Sequence, residues 1–138
     1  GAKVRTYVDT NAQGRVNASA GSSTLPRFEE FHTEDAELCF VAFGTASRVA
    51  RSVVYMAREA GLKVGLLRPI TLYPFPKKTI LELALKGIRF LVLEMNLGQM
   101  LEDCQLAVNG NTEVYFYGRP GGSIFDPEEV LKVVKSHI

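Results

Sequence analysis

The 138 residues contain no tryptophan, two cysteines and two histidines. The cysteines, Cys39 and Cys104, stand in no Cys-x-x-Cys, and no histidine or second cysteine lies at ligand spacing from either. A disulfide scaffold and a four-cysteine iron–sulfur run are therefore absent. Both cysteines fall in apolar strand or helix patterns and read as core thiols. His32 and His137 fall near the two ends of the regular part of the chain and argue for no Ser/His/Asp arrangement. The formal net charge is +1, which gives no global field for nucleic acid or an anionic membrane. No apolar run approaches the ~20 residues that span a bilayer. No secretory pattern opens the chain, so a cytoplasmic location is expected. There is no GxGxxG and no GxxxxGK[ST], no carboxylate pair spaced for glycoside hydrolysis, no repeat of fixed period and no heptad.

What is present begins after residue 33. Residues 1–33 are expected as a flexible lead-in or arm, because NAQGRVNASAGSST is polar and aperiodic. Val4–Val8 is its one apolar stretch. Asn17-Ala18-Ser19 matches a glycosylation triplet by chance frequency only. Residues 34–138 alternate regularly. LCFVAF, from Leu38, is a continuous apolar run short enough for a strand covered on both faces. Ala46–Ala60 follows with Val49, Val53, Met56, Ala57 and Ala60 at helical spacing and Arg48, Arg51, Arg58 and Glu59 on the other side. Gly61 supplies a left-handed stop.

VGLLR, from Val64, is a second buried strand, and a helix opens at Pro76 and stops before Gly87. RFLVLEM, from Arg89, precedes a helix over Leu97–Val108. EVYFY, from Glu113, precedes a helix opened by Asp126-Pro127-Glu128-Glu129, with Asp126 as cap and Glu129 closing a capping box. Tyr115 and Tyr117 share one face of their strand and Phe116 takes the other; they read as packing mass. The repeated βα order predicts a three-layer α/β/α domain with a mostly parallel sheet and right-handed crossovers.

In such sheets, ligands bind beyond the carboxyl ends of the strands. Four polar, glycine-containing loops stand there: Gly44-Thr45-Ala46-Ser47, Arg68-Pro69 with TLYPFP, Glu94 through Gln99, and Gly118 through Ser123. The first is a strand–turn–helix junction able to hold an anion on helix N–H groups; the alternative is a plain turn with Thr45 or Ser47 as N-cap. Glu94, Asn96 and Gln99 form a polar cluster suited to an interface or ligand edge, or to capping by Asn96 and Glu94. Arg68 and Arg119 each precede proline and can clamp a carboxylate or phosphate, or pin loops. Gly121-Gly122 permits close backbone approach. No residue stands out as a tuned acid, base or nucleophile.

VAFGTASRVARSVVYMAREAGLKVGLLRPITLYPFP, LVLEMNLGQMLEDCQLAVNG and VYFYGRPGG together resemble the C-terminal domain of the alpha subunit of 2-oxoacid:ferredoxin oxidoreductases, of the 2-oxoisovalerate or 2-oxoglutarate type. The likeness runs from about Thr33 to Ser123; a Gly/Ser/Asn-rich stretch precedes it where the family places a charged linker. It implies a transketolase C-terminal-like fold, with a mixed five-stranded sheet whose fifth, antiparallel strand comes from the N-terminal segment.

For the whole enzyme it implies oxidative decarboxylation of a 2-oxoacid to acyl-CoA, with thiamine diphosphate, iron–sulfur clusters and CoA as cofactors and ferredoxin as electron acceptor. The implied partners are a thiamine-binding beta subunit and an iron–sulfur subunit; homodimerisation stays open. No Gly-Asp-Gly…Asn thiamine motif occurs in this chain. The resemblance therefore implies an assembly domain with no cofactor of its own and no catalytic residue; whether it contacts CoA stays open. Its matching positions are Gly44, Thr45, Arg68, Pro69, Glu94, Asn96, Gly98, Gln99, Arg119 and Gly121. The competing reading is a stand-alone flavodoxin-like module binding an anion or nucleotide at Gly44–Ser47.

Overall fold

A computed structural model describes residues 4–8, 27–70, 75–94, 99–118 and 125–138. Its elements run β1 (Val4–Val8), β2 (Arg27–Phe31), β3 (Leu38–Ala42), α1 (Thr45–Glu59), β4 (Val64–Pro69), α2 (Lys77–Leu85), β5 (Arg89–Glu94), α3 (Gln99–Val108), β6 (Val114–Gly118) and α4 (Pro127–His137). The four βα units stand as the hydrophobic pattern predicts, with ends moved by one or two residues. The sheet has six strands in the order β1-β2-β4-β3-β5-β6. β4, β3, β5 and β6 pair in parallel. The expected fifth, antiparallel strand is β2, paired with β4. β1 adds a sixth, antiparallel to β2, so the five-stranded expectation is one strand short. Arg27–Phe31, expected in the arm, is part of the sheet, and Phe28 and Phe31 are buried. The glycosylation triplet at 17–19 lies outside the described residues.

The burial pattern explains the layers. All five residues of β3 are buried. On one face Phe40, Leu38, Leu66 and Leu91 pack under Val53, Val54 and Ala57 of α1 and Val130 and Val134 of α4. On the other, Cys39, Val41, Val92 and Phe90 pack under Ile80 and Ala84 of α2 and Cys104 and Ala107 of α3. Period two along the strands sends alternate residues to opposite helix layers. Both cysteines are free and buried. Burial pushes the Cys39 thiol well above its ordinary value and raises Cys104 to about 12, so neither is a thiolate at neutral pH. No helix among the described residues is long and apolar enough to cross a membrane.

α4 opens as its sequence predicts. Asp126 precedes Pro127 and its carboxylate accepts from the Glu128 N–H at 3.0 Å. The Glu129 carboxylate accepts from the Tyr117 hydroxyl at 3.3 Å.

The antiparallel extension is tied down by one arginine. Arg58, near the end of α1, donates from Nε to the Val64 carbonyl at 3.0 Å and from Nη2 to the His32 carbonyl at 2.9 Å. The same guanidinium holds both carboxylate oxygens of Asp35, at 3.1 and 2.7 Å. It thus fastens the β2–β3 turn to the start of β4. His32 sits at a φ of 51°, which turns its carbonyl inward. A Cβ added to Gly65 would stand 2.7 Å from that carbonyl oxygen, so the strand crossing here has room for glycine alone.

Two outcomes follow. Gly65→Ala should cost about 1–3 kcal/mol, the usual penalty for forcing an atom into a filled site, read as a lower urea midpoint; an unchanged midpoint would mean that β2 is not held against β4. The Arg58 hydrogen bonds keep the Asp35 carboxyl below its ordinary value of 3.8. A carboxyl lowered in this way stabilises the fold above that value, and the contribution is lost as pH falls through the folded-state value. Wild type and Asp35→Asn should therefore differ in thermal midpoint at pH 7 and converge in strong acid; a difference independent of pH would exclude the pair as its cause.

Candidate functional site

The strand order places a reversal between neighbours β3 and β5. β3 runs on into α1 on one face of the sheet, and β5 runs on into α3 on the other. Open α/β sheets form their ligand crevice at such a reversal. The described cavity lies one strand over, at the ends of β3 and β4, on the α1 side. It measures about 440 Å³ and is lined by Gly44, Thr45, Ser47, Arg48, Arg51 and Arg68.

The local sequence builds this cavity directly. β3 ends at Ala42, and Gly44 turns the chain with φ 61° and ψ −134°, a conformation that only glycine adopts readily. α1 begins at Thr45. Neither Thr45 nor Ser47 caps it: no side chain accepts from its first N–H groups, and its first turn carries no acidic residue. Ser47 is buried and its hydroxyl donates to the Gly44 carbonyl at 2.5 Å. That bond pins the turn but leaves the helix N-terminus uncapped, so the N-cap alternative for both residues is corrected.

Arg68 enters from β4, half-buried, donating to Glu29 on the neighbouring strand at 3.1 Å. Pro69 ends β4 and is buried beside Phe28, its register partner. Arg51 lies over the Phe31 ring, 4.1 Å from its centroid. Arg48 and Arg51 stand three residues apart and so share one side of α1. Sequence reasoning counted these two as the polar outer face of the helix. For Arg48 the signal was there: a basic residue in the first turn of a helix meets the positive end of its dipole and is unfavourable there.

The other expected positions do not join this cavity. Glu94, the last residue of β5, is only 6% exposed. Its Oε1 accepts from the Met100 N–H at 3.2 Å, and its Oε2 is buried with no hydrogen-bond partner. It therefore faces the α3 layer and caps that helix. Gln99 is the first residue of α3. Asn96, Gly98, Arg119 and Gly121 lie outside the described residues, as does the loop at 71–74. No cluster of three His, Cys, Asp or Glu able to hold a metal occurs among the described residues.

Known proteins match this frame. The sequence model of the pyruvate:ferredoxin oxidoreductase core domain II family covers residues 36–130. The ketoisovalerate oxidoreductase subunit VorB of Methanothermobacter marburgensis is 48% identical over 109 residues, covering 79% of this chain and 31% of the relative. The 2-oxoglutarate synthase subunit KorA of Methanothermobacter thermautotrophicus is 39% identical over 106 residues, covering 77% and 28%. The chain thus spans about a third of the length of the curated relatives it matches. Among solved structures, a 2-oxoglutarate:ferredoxin oxidoreductase from Magnetococcus marinus, with 2-oxoglutarate, coenzyme A and succinyl-CoA bound, superposes with a TM-score of 0.64 at 23% identity, over 79% of this chain and 19% of that one. With the family's sequence model spanning most of the βα repeat and relatives approaching half identity, this chain belongs to the pyruvate:ferredoxin oxidoreductase core domain II family.

Proposed function

We propose that this chain is the non-catalytic assembly domain of a 2-oxoacid:ferredoxin oxidoreductase acting on a branched 2-oxoacid of the ketoisovalerate type. One observation carries the choice of substrate: identity is 48–49% to two ketoisovalerate oxidoreductase subunits and 37–39% to 2-oxoglutarate synthase subunits of the same two organisms. The whole enzyme would oxidise and decarboxylate the 2-oxoacid on thiamine diphosphate, deliver the acyl group to CoA and pass electrons through iron–sulfur clusters to ferredoxin.

The residues of this chain do not fit the clusters or the thiamine cofactor. Two cysteines cannot supply a four-thiolate site, and both are packed in the core. The diphosphate-binding Gly-Asp-Gly…Asn pattern is absent from the sequence. Those groups belong to other domains and subunits, and the role left to this one is to pack against them. Leu85 of α2 and Leu106 of α3, 65% and 72% exposed, lie on neighbouring helices of one layer and suit a contact of that kind.

The test is turnover by the purified complex that carries this chain, with ferredoxin reduction as readout. kcat/KM should be about tenfold or more higher for 2-oxoisovalerate than for 2-oxoglutarate, the scale on which pockets separate such side chains. Preference for 2-oxoglutarate would overturn the substrate type, and inactivity with every 2-oxoacid would overturn the enzyme reading. The assembly role also sets an expectation for Glu94. Glu94→Ala should destabilise the chain by about 0.5–2 kcal/mol, as loss of a helix-capping acceptor does. Glu94→Gln, whose amide oxygen still accepts from Met100, should keep stability and turnover. A stable Glu94→Gln complex without turnover would make Glu94 catalytic.

A further inference from the structure

Among the described residues, the lining of the cavity at the head of α1 holds three guanidinium groups, the Thr45 hydroxyl, the Gly44 turn and the first turn of a 15-residue helix. Among the described residues no carboxylate and no aromatic ring lines it. One acidic group among them, Glu29, engages Arg68 through a single oxygen–nitrogen contact. The described residues therefore bring three positive charges against one negative. Like charges gathered at the positive end of a helix repel one another and the dipole. An anion entering the cavity would relieve that repulsion.

The two independent constraints on the arginines agree with this. The Phe31 ring lies 4.1 Å from the Arg51 guanidinium carbon and holds that side chain against the sheet. Glu29 holds Arg68 from the sheet side. Guanidinium groups held by their faces or one edge present the others as forks, the geometry that grips phosphate oxygens two at a time. The Ser47 hydroxyl is spent on the Gly44 carbonyl, so it competes for none of the helix N–H groups.

We propose that Arg48, Arg51 and Arg68, with the N-terminus of α1, form a binding site for a diphosphate group. The size and charge of the cavity select the ligand class. A volume of about 440 Å³ exceeds what one phosphate fills, and the excess of positive charge among the described residues favours a polyanion such as a diphosphate. Three of the six described lining residues are arginines, so the phosphates are what the site grips. The six lining residues named are all on this chain, so binding is read apart from the oxidoreductase reading.

The experiment is calorimetric titration of the 138-residue chain with inorganic pyrophosphate, repeated with ADP and with citrate. Pyrophosphate should bind saturably with one site, and added salt should weaken it. Arg48→Gln and Arg51→Gln should each weaken it about tenfold, the loss of one charge-assisted hydrogen-bonding group. Lys132→Gln, on the exposed face of α4, should leave it unchanged. ADP binding as tightly as pyrophosphate would identify the ligand as a nucleotide-linked diphosphate; ADP binding much more weakly would identify free diphosphate.

Three results would overturn the site. They are no saturable binding of pyrophosphate, equal weakening by Lys132→Gln, and citrate binding as tightly as pyrophosphate. If Arg51→Gln unfolds because Phe31 loses its cover, Arg48→Gln alone decides, since Arg48 is exposed and makes no packing contact with the core clusters.

Discussion

Leu38–Ala42 has no exposed residue, and a strand in that state has to be covered on both faces and paired along both edges. β4 and β5 take the edges in parallel register. The α1/α4 layer and the α2/α3 layer take the faces. Each alternate side chain of β3 therefore belongs to a different core, Leu38, Phe40 and Ala42 to one and Cys39 and Val41 to the other. Parallel pairing needs a crossover between neighbours, and the helices that make the crossovers are the same ones that cover the faces. Pairing and coverage are one requirement met by one set of helices.

The carboxyl end of the sheet inherits its geometry from that requirement. β3 hands the chain to α1 on one side and β5 hands it to α3 on the other. The two helix N-termini are solved differently. α3 receives the buried Glu94 carboxylate on the Met100 N–H. α1 receives no side chain and instead has arginines about its head. One end is neutralised from within the fold, and the other is left positive. This contrast is why a ligand is proposed at the α1 end and not at the α3 end.

The antiparallel strands add a second constraint at the opposite end of the same sheet face. Arg58 binds His32, Asp35 and Val64 at once, and Gly65 accepts the close His32 carbonyl. Through β2 this also places Phe31 beneath Arg51 and Glu29 beside Arg68. β2, a strand outside the repeating βα pattern, thus orients two of the three arginines of the cavity.

The sequence by itself determined the βα alternation, the burial of β3 and β5, the cap at Asp126 and the inert character of both cysteines. These follow from period and composition, which act over a few residues and survive without knowledge of the partner strand. The motifs FGTAS, RPITLYPFP and EMNLGQM carried the family. Tertiary structure alone decided the strand order, the recruitment of Arg27–Phe31 into the sheet and the role of Glu94 as a buried cap. It also decided the meeting of Arg48 and Arg51 with Arg68. Those depend on contacts between residues far apart in the chain, and a helix face that reads as solvated in one dimension becomes the wall of a cavity once β4 is laid beside it.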